Sequence, residues 1–280
     1  MASITAAESS QVQQANASGR PPAVFVHGLW LLASSRDRWA ELFAQAGYAP
    51  VSVSWPGDAE TVEQARANPQ SVAGKTLGEI AAHVAEVIGA LSSKPVVVGH
   101  SFGGLLAQMM AARGESTATV AIDPAPFRGV LALPLSTLRT AMPVLSNPAN
   151  RKRPISLTFE QFRYGWANAL SEQEARQLHE SFHVPGTAVP LFQAALANVN
   201  PRTEVQLDTA SPTRGPLLII SGEKDHTVPH AIAHASFKRQ RRNPAATEFI
   251  EIPNRGHALT IDSGWREVAD TALEFLKRSS

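Results

Sequence analysis

The sequence predicts an α/β protein: a mostly parallel sheet with flanking helices and an inserted helical cap. Three observations carry that expectation. Short apolar runs of strand length alternate with segments of helical periodicity, as a parallel sheet with crossover helices requires. Each run is followed within two residues by glycine, proline or aspartate, where a strand must stop. The alternation lapses from Pro124 to Pro216, across nine intervening prolines, and then resumes.

The first run, Ala23-Val24-Phe25-Val26, stops at His27-Gly28. A helix follows over about Asp37 to Ala46, with Trp39, Leu42 and Phe43 on one face and Gly47 as its stop. Val51 to Ser54 is the next strand, ended by Trp55-Pro56-Gly57. Thr76 and Glu79 make a capping box, behind which Leu77, Ile80, Val84, Val87 and Leu91 recur at helical spacing. Val96-Val97-Val98 is apolar throughout, which suits a strand buried on both faces. Gly99 to Gly104 is a tight turn into a helix over Leu105 to Ala112, and Thr119 to Ile122 is a strand ending at Asp123-Pro124.

Between Pro124 and Pro216 the sequence shows no strand, only helical pieces such as Phe159 to Leu170 and Ser171 to Phe182. The sheet pattern returns with Leu217 to Ile220, a helix from about His230, Glu248 to Ile252, and a closing helix from Trp265 to Lys277. The expected organisation is a flexible tail over residues 1–22, a core over 23–123 and 216–280, and the cap over 124–215.

Gly99-His100-Ser101-Phe102-Gly103 fits G-x-S-x-G, and a strand before it with a helix after it is the context of a nucleophile elbow. Flanking glycines let the chain turn sharply, and the helix behind aims backbone N–H groups at any oxyanion forming there. A serine hydroxyl needs a base, and the base an orienting acid. His257 follows the Glu248 to Ile252 strand and Asp225 follows the Leu217 to Ile220 strand, so all three emerge at strand ends on one sheet edge. Asp123, which also ends a strand, is the alternative acid.

On these residues the chain resembles the α/β-hydrolase superfamily, in its serine esterase and lipase-like branch. The resemblance runs from about Val24 to the closing helix and is weakest across Pro124 to Pro216. It implies Ser101 as nucleophile, His257 as general base and then acid, and Asp225 as the group orienting His257. It also gives a meaning to Val26-His27-Gly28-Leu29-Trp30. In relatives with this H-G sequence the residue after glycine donates one oxyanion N–H, here Leu29; the residue after the nucleophile, Phe102, donates the second. Members usually carry two strands ahead of the His-Gly strand, whereas only about 22 residues precede it here. Trp30 and Trp55, each after a strand end, are the expected substrate-lining side chains.

Composition closes off other classes. The 280 residues have no cysteine, which removes disulfides, thiolate metal sites and cysteine nucleophiles. Lys+Arg 25 against Asp+Glu 24 gives +1, which argues against broad electrostatic capture of nucleic acid or anionic lipid. The runs Lys238-Arg239-Gln240-Arg241-Arg242 and Arg151-Lys152-Arg153 read as a solvated helix end and a loop. His226, His230 and His234 are spaced by four, but Pro229 opens a helix between the first and the others, so no metal is expected. Gly74-Lys75-Thr76 lacks the first glycine and the strand of a phosphate loop. No leader and no membrane span is legible, so the expected setting is the cytoplasm. Oligomeric state leaves no mark on the sequence.

Serine at the elbow points to acyl chemistry, unlike the aspartate that relatives use to displace halide or open epoxides. The expected function is cofactor-independent hydrolysis of a small to medium, rather apolar ester or lactone. The same triad would also serve thioester, amide or C–C cleavage or acyl transfer. A receptor-like protein that binds without turnover is the remaining class.

Overall fold

The computed structural model describes residues 4–279. The chain opens with α1 (Ala6–Ser18). It continues through β1 (Pro22–Val26), α2 (Asp37–Gln45), β2 (Ala49–Val53), α3 (Val62–Ala67), α4 (Leu77–Gly89), β3 (Val96–His100), α5 (Phe102–Ala112) and β4 (Thr119–Ile122). An insertion follows: α6 (Leu135–Leu145), β5 (Pro154–Ile155), α7 (Phe159–Gly165), α8 (Glu172–Phe182), β6 (Gly186–Thr187) and α9 (Val189–Leu196). The chain closes with β7 (Leu217–Gly222), α10 (His230–Gln240), β8 (Thr247–Ile252) and α11 (Trp265–Arg278).

Six strands form one sheet in the order β2-β1-β3-β4-β7-β8, every pair parallel. Side chains alternate between its faces. Val24, Val26 and Val97 pack with Ile80 and Val84 of α4 and Leu105 of α5. Phe25, Val96 and Val98 pack with Trp39 and Phe43 of α2 and with Val268 and Leu276 of α11. Burial on both faces explains why these strands read as unbroken apolar runs. The outer strand β8 is only partly buried and carries Glu248 and Glu251, which suit an exposed edge.

The tail expected over residues 1–22 differs in the structure. Residues 1–3 lie outside the described residues, but residues 6–18 form α1, opened by a capping box between Thr5 and Glu8. Its sequence has no apolar stripe to announce it. Val12 and Ala15 are buried, and the Gln11 side-chain oxygen accepts from the Ser52 N–H at 2.7 Å. Glu8 accepts from the Ser54 N–H at 2.9 Å. Polar side chains of α1 thus bond backbone groups of β2 and of the residue just beyond it.

The capping box at Thr76 and Glu79 opens α4 as the sequence predicts. Differences concentrate in the insertion. It contains a short antiparallel pair, β5 with β6, where no strand was expected. A two-residue strand is too brief for a legible alternation. Helix α7 ends at Gly165, five residues before the predicted stop at Leu170, and Trp166 turns into the core instead. Helix α6 holds Pro143 near its end, where the helix stops within three residues.

The insertion lies across the strand ends. Thr137 of α6 donates to the Thr227 carbonyl at 3.1 Å, the Val184 N–H to the Trp30 carbonyl at 3.0 Å, and the Ala258 N–H to the Trp166 carbonyl at 2.9 Å. Among the described residues no helix is long and apolar enough to cross a membrane.

Candidate active site

The turn between β3 and α5 is held in one shape by close approach. Ser101 sits at φ 57° and ψ −122°, a conformation that a residue with a side chain adopts only under constraint. Its N–H still bonds the Ile122 carbonyl of β4 at 2.9 Å, and its carbonyl accepts from Leu105 and Ala125. A Cβ on Gly99 would meet the Gly103 carbonyl oxygen at 2.0 Å, and one on Gly103 the Val26 carbonyl oxygen at 2.2 Å. Those two glycines let α5 start directly against β1 and β3.

Three strand ends converge on this turn. His257 lies beyond β8, with Nε2 3.0 Å from Ser101 Oγ and Nδ1 2.6 Å from Asp225 Oδ2. Asp225 lies beyond β7, and its Oδ1 accepts from the Thr227 N–H at 2.6 Å and the Val228 N–H at 2.9 Å. All three side chains are buried. An acceptor carboxylate at Nδ1 fixes the tautomer: Nδ1 donates to Asp225, and the Nε2 lone pair accepts from the serine hydroxyl.

Asp123 does not take the Asp225 position. It ends β4 at φ 40°, fully buried, with Oδ1 accepting from the Gly222 N–H at 2.8 Å. Burial first, and then the charge of Asp225, push its carboxyl well above the ordinary carboxylate range. Asp123 therefore stands behind Asp225 as the carboxyl that resists ionisation.

Three residues outside the predicted site complete the surroundings, among them Trp166, which the sequence offers only as one of several cap aromatics that could be core or face the pocket. His100 Nε2 donates to the His257 carbonyl at 2.9 Å. Burial and then the neighbouring His257 hold its ring well below the usual imidazole range, so it stays neutral. Trp166 of the insertion presents its ring edge-to-face to His257, centroids 4.6 Å apart, and roofs the site. Asp58 accepts from His27 Nε2 at 3.0 Å and from the Trp55 N–H at 2.7 Å. None of the three had a sequence signal that set it apart, because each depends on a partner far along the chain.

Gly28 touches the nucleophile: a Cβ there would lie 2.8 Å from Ser101 Cβ. The His-Gly loop therefore lies against Ser101 at Gly28, and α5 begins on its other side at Phe102. Trp30 is at φ 65°, and its Nε1 donates to the Ile155 carbonyl at 2.9 Å, tying this loop to the insertion. Trp55 stacks on His27 with centroids 5.1 Å apart. Both tryptophans line a narrow cleft beside Gly28 and Leu29.

His226 bonds the Tyr164 carbonyl, whereas His230 and His234 lie ring to ring with centroids 5.1 Å apart and share the Phe249 ring, His230 also pairing with Glu251. Among the described residues, His100, Asp123 and His257 are the one group whose potential ligand atoms lie within 4.8 Å of one another. Their contacts to the His257 carbonyl, the Gly222 N–H, Asp225 and Ser101 make that trio part of the hydrogen-bonded site.

With this geometry in place, the alpha/beta hydrolase family model matches residues 23–271. The chain belongs to the alpha/beta hydrolase family. Solved alpha/beta folds similar to it include a monoacylglycerol lipase from Paleococcus ferrophilus, 20% identical over 94% of this chain and 97% of that one, with a TM-score of 0.65. An extracellular alpha/beta-hydrolase from a Paenibacillus species is 18% identical over 91% and 98%, with a TM-score of 0.65. A pyrethroid hydrolase from Sphingobium faniae JZ-2 is 14% identical over 92% and 97%, with a TM-score of 0.64. At these identities the likeness is one of fold. No curated protein matches the chain in sequence.

Proposed function

We propose that the protein is a serine hydrolase that cleaves a carboxylic ester or lactone through an acyl-enzyme, without a cofactor. The observation that carries this reading is the relay of hydrogen bonds from Ser101 to His257 at 3.0 Å and from His257 to Asp225 at 2.6 Å. It starts from a strained serine at the head of a helix, where developing negative charge is favoured. Membership of a hydrolase family and likeness to structures named lipase and hydrolase are in line with it.

In this reading Ser101 Oγ attacks the substrate carbonyl carbon while His257 Nε2 takes the hydroxyl proton. Asp225 stabilises the imidazolium. The oxyanion sits between the Leu29 and Phe102 N–H groups. Collapse expels the alcohol, which takes the proton from His257; water, deprotonated by the same ring, then releases the acid. Trp30 and Trp55 line the substrate path. Residues 124–215 act as a cap, with Trp166 excluding water from His257.

A panel of p-nitrophenyl esters of graded acyl length, run beside Ser101→Ala, tests this. The expected result is activity that favours one length and disappears in the variant. Activity that survives Ser101→Ala overturns the nucleophile assignment. Absence of both turnover and fluorophosphonate labelling at Ser101 overturns the enzyme reading in favour of a binding protein.

A further inference from the structure

The insertion carries a surface that the chemistry at Ser101 does not use. Leu131, Leu133 and Leu135 are 77%, 63% and 83% exposed, while Ala132 and Pro134 between them are half-buried. Alternation with period two puts the three leucines on one side of the chain. Met142, Leu196 and Val199 are the other strongly exposed large apolar side chains among the described residues, so all six fall within the insertion. Asn198 links them: its Nδ2 donates to the Val130 carbonyl at 3.0 Å and its Oδ1 accepts from the Gly129 N–H at 2.6 Å. Scattered exposed leucines are ordinary on a soluble protein, whereas a confined cluster marks a contact surface.

Charge is segregated onto the same region. From Pro124 to Phe159 the chain has Arg128, Arg139, Arg151, Lys152 and Arg153 and no acidic residue, leaving 20 basic against 24 acidic for the rest. All five are exposed. Asn150 donates to the Val144 carbonyl and folds the basic run back on α6, and the Arg151 guanidinium lies 4.7 Å from the Phe192 ring centroid on α9. The cations thus surround the helices that present the exposed apolar side chains.

We propose that this face of the insertion docks on an anionic lipid bilayer. Projecting leucines enter the boundary between headgroups and acyl chains, and the basic side chains meet lipid phosphates. The leucines project rather than line a groove, and a bilayer receives projecting side chains without needing a matching shape. A second copy of the chain fits poorly, because a two-fold contact through this face would set five cations against five. The proposal concerns binding alone and stands apart from turnover at Ser101.

Flotation of the full chain with vesicles tests it, using phosphatidylcholine alone and an equal mixture of phosphatidylcholine and phosphatidylglycerol. The chain is expected to float with the anionic vesicles, to leave them as salt rises, and to ignore the neutral ones. Arg151→Gln/Lys152→Gln/Arg153→Gln is expected to lower partitioning by about tenfold or more. Leu131→Ser/Leu133→Ser/Leu135→Ser is expected to abolish it with the thermal midpoint unchanged, since these side chains are already in water. No flotation with anionic vesicles, or flotation that both variants retain, overturns the proposal. So does a dimer, or a complex with an acidic protein, that the leucine variant dissociates.

Discussion

Asp123 and Asp225 stand at the ends of the neighbouring strands β4 and β7, two buried carboxyls of which Asp123 is the one that resists ionisation. Asp225 receives His257 on one oxygen and two backbone N–H groups on the other. Asp123 is buried, and burial and then the charge of Asp225 raise its carboxyl well above the ordinary carboxylate range. Two like charges this close in a dry site cannot both form, and the carboxyl with fewer donors gives way. The Gly222 N–H is the donor available to Asp123.

An amide matches the Asp123 carboxyl in shape and can still accept from the Gly222 N–H without placing a charge beside Asp225. Asp123→Asn is therefore expected to keep activity within about tenfold, whereas Asp225→Asn should lose about 10³–10⁴-fold in kcat by presenting the wrong partner to His257. Parallel kinetics on the two variants check this, and a larger loss from Asp123→Asn would reverse the assignment of acid and support. The pair also predicts a pH dependence of stability. Asp123 has a folded pKa above its ordinary 3.8, so the folded state binds the extra proton. Its contribution is full at low pH and falls as pH rises through the folded value. The stability of the wild type relative to Asp123→Asn should thus decline from about pH 4 upward, as urea unfolding across pH would show.

Ser101 pays a conformational cost for its position. A side chain at φ 57°, ψ −122° is strained by about 1–3 kcal/mol, which glycine does not feel. Ser101→Gly should raise the thermal midpoint while removing turnover, and Ser101→Ala should remove turnover without that gain. A midpoint for Ser101→Gly at or below that of Ser101→Ala would show that the elbow stores no strain. Gly103→Ala should fail in the opposite sense. Its Cβ would press on the Val26 and His27 carbonyls at 2.2 and 2.4 Å, so α5 could not dock and the protein should be lost from the soluble fraction.

His27 orients the Leu29 N–H through one peptide unit. Its Nδ1 donates to the Gly28 carbonyl at 2.8 Å, and its Nε2 is held by Asp58. In a trans peptide the Gly28 carbonyl and the Leu29 N–H point in opposite directions, so fixing one aims the other. Asp58→Asn loosens this hold while still accepting from the Trp55 N–H. It is expected to lower kcat by about 10–100-fold with KM little changed, because the donor matters most when the oxyanion forms. A raised KM with kcat intact would place Asp58 in substrate binding instead.

What the sequence made legible follows from range. The buried strands, the elbow and the capping box at Thr76 are local patterns, readable because each run of residues meets one kind of environment along its length. Ser101, Asp225 and His257 were legible one at a time, since each ends a strand of a parallel sheet, and the topology brings such ends to one edge. Asp123 was visible as a competitor, but its protonation depends on a carboxylate a hundred positions away. Trp166 and His100 had no distinguishing signal, because an aromatic residue in a helical insertion and a histidine beside the serine read equally well as core. The insertion resisted because proline marks where elements end without saying what they pack on. Helix α1 failed for a different reason: its buried side is partly polar, and the groups it satisfies belong to the backbone of β2 and of the residue just beyond it.

That polar contact yields the last prediction. Glu8 is 1% exposed, accepting from the Ser54 N–H at 2.9 Å and from Thr5, and bonded to His83 Nε2 at 3.0 Å. Burial works to raise its carboxyl, but the bonds from His83 and Thr5 outweigh it and hold the group below its ordinary 4.5. The folded state therefore favours the charged form, so Glu8 stabilises the protein above about pH 4.5 and loses that effect as pH falls through its folded value. Glu8→Gln turns one acceptor into a donor facing donors and should cost about 1–3 kcal/mol at neutral pH. That deficit should shrink on acidification in urea titrations of the two proteins. Glu8→Ala should in addition free the Ser54 N–H just beyond β2 and speed aggregation on warming, which light scattering would follow. A deficit for Glu8→Gln that is constant down to acid pH would mean that α1 is held to the sheet by Val12 and Ala15 alone.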